Sequence, residues 1–151
     1  MKILVTGATG FIGNNLIRLL LKNKENQIIA TSSNFKKAKT FDWFSKVTYL
    51  EYNINNNTTE DLFNFFKRPN QLIHLAWDKL SDVRNIAHTK EILSNHSKFI
   101  KNIVSSGLEE IVVAGTCFEY GMIEGCLRED FKINPSNPYG IAKNRLREFI
   151  I

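Results

Sequence analysis

Two groups of residues in this chain have types and spacing suited to chemistry. The first is Tyr139-Gly140-Ile141-Ala142-Lys143, which follows Pro138 and reads as the opening of a helix. Asn137 or Ser136 serves as its cap, and Pro138 suits its first turn. The four-residue step places Tyr139 and Lys143 on one helix face. An ammonium beside a phenol favours the phenolate and lowers its pKa. A tyrosine tuned this way can act as general acid or base on a hydroxyl or ketone. The motif alone is common on surface helices. The second group is Val5-Thr6-Gly7-Ala8-Thr9-Gly10-Phe11-Ile12-Gly13, with glycines in a GxxGxxG spacing. Gly7 permits a tight turn, Gly10 a close backbone approach to a pyrophosphate, and Gly13 close helix packing. The start of the following helix favours an anion through its free N–H groups and its dipole. A strand-to-helix turn that merely tolerates glycine is the bland alternative.

The elements around these residues alternate. Apolar runs at Lys2 to Val5, Gln27 to Thr31, Val47 to Tyr52, Gln71 to Ala76 and Glu110 to Ala114 predict five strands. The Gln71 to Ala76 run is nearly all apolar, which predicts burial on both faces. Helices are predicted over Asn14 to Lys22, Thr59 to Phe66 (capped by Thr58 or Thr59), His88 to Ser105 (stopped by Gly107), and Tyr139 to the end. Gly115 to Pro138 reads as a long irregular stretch. Strand–helix alternation with a glycine turn after the first strand predicts an α/β fold, a Rossmann-type doubly wound parallel sheet. Its ligand is expected across the carboxyl ends of strands one, four and five.

The 151 residues, 43% of them hydrophobic, suffice for one core. The expectation is a single dinucleotide-binding domain over 1–151. A net charge of +5 suits anionic small molecules. No RNP-like aromatic motif, zinc-finger spacing or long Lys/Arg run points to nucleic acid. The Lys-rich patch Phe35-Lys36-Lys37-Ala38-Lys39 reads as a solvated loop or helix face. Cys117 and Cys126 lack metal-ligand spacing, so no metal is expected; they read as reduced thiols of a cytoplasmic protein. No apolar run approaches the roughly 20 residues of a membrane span. His88 and His96 read as solvent-facing positions on the long helix, His74 as a packed strand residue, and Cys117 as packing. Trp43, Phe41 and Phe44 read as a core or loop cluster.

Taken together, these motifs make the chain resemble the extended short-chain dehydrogenase/reductases, the NAD-dependent epimerase/dehydratase group that works on nucleotide sugars. Thr6 to Gly13 matches the family's TGxxGFIG turn, so Gly7, Gly10, Phe11, Ile12 and Gly13 are implied cofactor contacts. His74-Leu75-Ala76 matches the segment whose backbone lines the cofactor, which adds Leu75, Ala76 and the adjoining Trp77. Thr116 falls where the family places a catalytic Ser or Thr, and Tyr139 and Lys143 match its YxxxK pair. The stretches around Trp77 and over Ala114 to Gly121 look like a 4-keto-sugar reductase subgroup. The resemblance implies that Tyr139 exchanges a proton with the sugar oxygen and that Lys143 tunes it and binds the nicotinamide ribose. It also implies that Thr116 hydrogen-bonds the same sugar oxygen. The expected cofactor is NAD or NADP and the expected partner a nucleotide-sugar substrate, with a homodimer common among relatives.

Three departures qualify this pattern. An acid usually takes the ribose hydroxyls at the end of strand two, but Thr31-Ser32-Ser33-Asn34 stands there. Ser32 or Ser33 could take a ribose or its 2′-phosphate, and Lys36 or Lys37 could neutralise that phosphate, so NADP is expected to be tolerated. Asn53-Ile54 replaces the family's Asp after strand three; an amide oxygen still accepts from an adenine amino group. Finally, the family normally continues beyond YxxxK. The competing expectation is therefore a truncated, non-catalytic dinucleotide-binding remnant without a sugar pocket.

Overall fold

The structure, a computed structural model, describes residues 1–56 and 60–151. Its backbone contacts form two compact units, one of Met1–Ala76 with Phe99–Ala114, the other of Trp77–Lys98 with Gly115–Ile151.

The first unit is built on five strands: β1 (Lys2–Thr6), β2 (Gln27–Ser32), β3 (Thr48–Glu51), β4 (Gln71–His74) and β5 (Glu110–Val113). All pairings are parallel, in the order β3-β2-β1-β4-β5. The chain moves outward from β1 to β3 and then returns to β4. The order therefore reverses between β1 and β4, the place where an open α/β sheet binds its ligand. Ile3, Val5, Ile28 and Ala30 pack on one face with Ile17 and Trp43, and Ile73 joins that cluster. On the other face, Tyr52, Phe65, Phe66 and Phe99 make edge and tilted ring contacts, and His74 stacks on Phe99 at 5.5 Å. Both faces of β4 are thus covered, as its apolar run predicts. Trp43 is 1% exposed and stacked on Phe41, which makes the aromatic cluster core.

The helices depart from expectation at their starts. The first, α1 (Phe11–Leu20), begins three residues before Asn14 because Gly10 itself is its extended N-cap, at φ −77° and ψ 171°. A four-residue α2 (Phe35–Ala38) follows β2, with Asn34 accepting from Lys37 N. The helix α3 (Leu62–Phe65) is shorter than expected and is capped by Asp61, whose Oδ1 accepts from Asn64 N. Thr58 and Thr59, the expected caps, lie outside the described residues. The long helix α4 (Glu91–Ser105) starts after His88, which instead closes a 3₁₀ turn, Ile86–His88. Gly107, at φ +122°, ends α4 as expected. The irregular stretch contains one 3₁₀ segment, Cys117–Tyr120, in the second unit. There the last helix, α5 (Pro138–Ile150), starts at Pro138 with Asn137 as cap. Among the described residues no helix is long and apolar enough to cross a membrane.

One side chain ties the ends of β1 and β4. Thr6 Oγ1 accepts from the N–H groups of Leu75 (3.1 Å) and Ala76 (3.2 Å) and lies 2.9 Å from His74 Nδ1. A hydroxyl has two lone pairs and one proton. Both lone pairs are used, so the proton points to His74 Nδ1, and His74 is fixed as the Nε2–H tautomer. Replacing Thr6 by Val leaves two N–H groups and a ring nitrogen without this partner. In urea unfolding, Thr6→Val is expected to lose about 1–3 kcal/mol more than Thr6→Ser, which keeps the hydroxyl. Equal losses for the two would refute the role of the hydroxyl.

Candidate functional site

The glycine turn belongs to the first unit. Gly7 has φ +66°, and a Cβ there would lie 2.8 Å from Ala76 N, so only glycine lets the turn rest on the end of β4. A Cβ on Gly13 would strike Gly7 O and lie 2.9 Å from Ala8 Cα; α1 packs against the turn itself. Gly10 N donates to Gly7 O at 2.9 Å, and as N-cap it offers α1 no side-chain acceptor. The first turn of α1 also carries no acid. Its N–H groups and the positive dipole end are therefore left for an anion. Phe11 and Ile12, at the start of α1, are 87% and 59% exposed.

Around the end of β2, Ser32 Oγ is 2.8 Å from Tyr49 OH, and Tyr49 OH donates to Ser32 O at 3.0 Å. The Ser32 proton is therefore directed at Tyr49. Ser33, Lys36 and Lys37 are exposed. Asn53 Oδ1 accepts from Asn55 N at 3.0 Å, so part of its acceptor capacity closes a local turn, and Ile54 is half-buried. The sheet supplies an acid that the sequence reading missed. Glu51 stands in register with Ser32, and its Oε1 accepts from Phe35 N at 3.0 Å. Only strand pairing brings a residue nineteen positions away to the end of β2. The Thr31 hydroxyl, in register with Thr6, is buried and has no hydrogen-bond partner among the described residues. The uncapped helix start and this orphaned hydroxyl are features that fit a polyanionic ligand with further polar groups.

The second unit gathers the other group. Pro138 and the Asn137 cap, which accepts from Gly140 N at 2.8 Å, begin α5, and Tyr139 N donates to Val83 O at 3.1 Å. A Cβ on Gly140 would strike Phe118 O, so α5 lies close against Cys117–Tyr120. Tyr139 and Lys143 meet at Trp77: the Tyr139 ring is edge-on at 6.0 Å, and Lys143 Nζ sits 4.5 Å over the indole. The cation–π contact offsets part of the cost of burying the ammonium. Thr116 caps Cys117–Tyr120, and a hydrogen bond links its side chain to Tyr139. Thr116, Tyr139 and Lys143 are therefore brought together, with Trp77 beside them.

The electrostatics correct the expectation for Tyr139. Burial raises the phenol above its ordinary value; the Thr116 hydrogen bond lowers it, while the charges of Glu119 and Cys117 raise it. The phenol is therefore neutral and holds its proton, and the ammonium rests on Trp77. Burial depresses Lys143 to about 8, with Glu119 acting in the opposite direction.

The two helix histidines also differ from expectation. His88 and His96 are buried, at 0% and 1% exposure, because Trp77 draws both rings inward. His88 Nδ1 accepts from Trp77 Nε1 at 3.1 Å, so its proton is on Nε2, facing Asp82 O at 2.9 Å. His96 lies against Trp77 with ring centroids 4.6 Å apart. Cys117 is exposed rather than packed. Among the described residues no three His, Cys, Asp or Glu side chains gather as a metal site.

The chain belongs to the NAD dependent epimerase/dehydratase family, which it matches over residues 3–150. It is 32% identical over 148 residues to a dTDP-6-deoxy-L-talose 4-dehydrogenase (NAD(+)) of Aggregatibacter actinomycetemcomitans, covering 98% of this chain and 53% of that protein. Among solved structures it is similar to MoeE5 in complex with UDP-glucose and NAD, at 27% identity and TM-score 0.74, over 99% of this chain and 48% of that one. The UDP-glucose 4-epimerase of Thermotoga maritima shares the fold at TM-score 0.81 and 24% identity, over 99% of this chain and 50% of that one. The chain thus spans about half the length of the relatives it matches.

His96 gives a pH test of the second unit. Burial lowers its pKa to about 4 from 6.5; Lys143 also lowers it, and Asp78 raises it. The unfolded chain therefore takes up the proton first as pH falls. This contribution is complete above pH 6.5 and is lost as pH drops toward 4. Urea unfolding should show about 2 kcal/mol less stability at pH 5 than at pH 7 from this group, and His96→Gln should remove that loss. An unchanged pH slope in the variant would show that His96 is not its source.

Proposed function

We propose that this chain is the dinucleotide-binding part of an NAD-dependent enzyme that interconverts a ketone and a hydroxyl at C4 of a nucleotide-linked sugar. Such sugars supply surface-polysaccharide synthesis. The observation that carries this reading is the convergence of Thr116, Tyr139 and Lys143 in one unit, in a chain that also keeps an uncapped glycine turn. The names of similar proteins support it: one is a 4-dehydrogenase, and another is solved with UDP-glucose and NAD. A cytoplasmic homodimer belongs to the same reading.

The turn at Gly7, Gly10 and Gly13 with the start of α1 holds the pyrophosphate, and the backbone of Leu75 and Ala76 lies beside it. The bound nicotinamide supplies the centre that accepts or donates the hydride. Tyr139 gives or takes the proton at the sugar oxygen, and Thr116 hydrogen-bonds that oxygen and orients it. Lys143 would hold the ribose hydroxyls of the cofactor, and a positive charge near the phenol would favour proton loss. NAD is favoured over NADP because the Glu51 carboxylate beside Ser32 opposes a 2′-phosphate, although Lys36 and Lys37 stand nearby.

A second reading rests on the uncapped glycine turn alone: these 151 residues bind dinucleotide without turning over sugar. Calorimetry with NAD, followed by a turnover assay with NADH and a dTDP-linked 4-keto sugar, separates the two. Binding with turnover supports the enzyme, binding alone supports the second reading, and absence of both sinks each.

In the active form, Tyr139→Phe should lower kcat by about 100-fold or more while changing NAD affinity only a few-fold. Near-normal turnover would exclude Tyr139 as the proton carrier. Glu51→Gln should raise NADP affinity relative to NAD by about tenfold, the effect of one removed charge in partly exposed surroundings. An unchanged ratio would remove Glu51 from cofactor choice.

A further inference from the structure

Glu119 lies one turn from Thr116 and is buried, at 6% exposure. Among the described residues it is the one buried acidic side chain, and Lys143 is the one buried lysine or arginine. Charged groups are rarely buried without compensation. Both lie in the second unit, on the 3₁₀ segment Cys117–Tyr120 and on α5, which pack together through Gly140 and Phe118.

The carboxylate is held at both oxygens. Oε1 accepts from Thr116 N at 2.8 Å, while Thr116 Oγ1 accepts from Phe118 N at 3.4 Å, a reciprocal capping box. Oε2 faces Arg147 Nε at 3.8 Å. The Glu119 main chain is fixed as well, since its carbonyl accepts from Asn134 N at 3.0 Å. Arg147 is itself drawn toward Asn144, whose Oδ1 accepts from Nε and Nη2. It is also partly solvated, with 41% of its side chain exposed.

We infer that Glu119 is a positioning residue for the Thr116–Tyr139–Lys143 site: one oxygen fixes the Thr116 loop, and its buried charge balances the Lys143 ammonium through space. This rests on the reading of Tyr139 and Lys143 as the proton-handling pair. The two effects are separable because one needs an acceptor atom and the other a charge. Glu119 keeps Lys143 protonated against the pull of burial and at the same time opposes ionisation of Tyr139. It therefore favours the pair as ammonium and phenol. The other groups facing the pair are Arg147 on α5, Cys117 on the 3₁₀ segment, His88 on the 3₁₀ turn Ile86–His88 with its ring 5.3 Å from that of Tyr139, and His96 on α4, with Asp78 near His96. His96 is uncharged above its depressed pKa of about 4 and adds no charge at neutral pH.

Glu119→Gln keeps an acceptor for Thr116 N and deletes the charge. Glu119→Asp keeps the charge and withdraws the acceptor by one methylene. NMR of the full chain with labelled lysine side chains, assigned with Lys143→Arg, follows the Lys143 titration directly and needs no turnover. In Glu119→Gln its midpoint should fall by about one pH unit, while Thr116 N–H keeps its protection from exchange. In Glu119→Asp the midpoint should stay within a few tenths of wild type, and Thr116 N–H protection should drop about tenfold or more, the loss of one hydrogen bond to a charged acceptor. In the unsubstituted chain the Glu119 carboxyl carbon should inflect at the Lys143 midpoint, a readout that no unfolded variant can remove. An unmoved midpoint in Glu119→Gln, or no inflection at Glu119, overturns the charge role. Full Thr116 protection in Glu119→Asp overturns the loop role. Either failure leaves the Tyr139→Phe turnover test intact, so loss of this inference is distinguishable from loss of the proposed function.

Discussion

The valence of a single hydroxyl governs the first unit. Thr6 Oγ1 can accept twice and donate once, and the ends of β1 and β4 use all three. That constraint sets the separation of two strands that are neighbours in space and distant in sequence. It also turns the Leu75 and Ala76 amides toward β1, which leaves Gly7 resting on Ala76 with no room for a side chain. The glycine turn is thus as much a packing solution at the switch point as a cradle for an anion. Because Gly13 fits against Gly7 O, α1 begins early, and its uncapped first turn is presented where the strand order reverses.

The second unit solves a different problem, the burial of polar groups. Trp77 gathers His88 by a hydrogen bond, His96 by ring contact, Lys143 by cation–π contact and Tyr139 edge-on. Each polar member of this cluster is discharged or compensated. His88 is fixed as one neutral tautomer, and His96 is held neutral at ordinary pH by burial. Lys143 is depressed by the same cause and sustained by Glu119. A low-dielectric surrounding makes each charge consequential for the others, so the phenol, ammonium and carboxylate respond as a set. Burial keeps Tyr139 in its protonated form, and Lys143 lies on an aromatic face.

The order of the strands and of the longer helices, the glycine turn, the parallel α/β class and the pair on one face of α5 were legible in the sequence. Local rules carry them: apolar runs form strands, Asn137 and Pro138 open a helix, and a four-residue step fixes a shared face. The same rules missed the start of α1, because Gly10 reads as part of a loop until its extended cap geometry is seen. They also placed His88 and His96 in solvent. Polar type at helical spacing says outside, whereas Trp77 and the packing around it place both inside.

By itself, then, the sequence determined which residues share a strand, a turn or a helix face, and hence the cofactor turn and the Tyr139–Lys143 pair. Tertiary structure decided what those residues experience. Glu51 reaches the end of β2 only through strand pairing. Glu119 becomes a buried charge beneath Thr116 only when the 3₁₀ segment packs on α5. Tyr139 is raised rather than lowered because burial outweighs the Thr116 hydrogen bond, while the Lys143 ammonium lies over Trp77. Periodicity and spacing are properties of the backbone and survive in the sequence. Dielectric surroundings and through-space partners arise from packing between distant segments, and local pattern does not encode them.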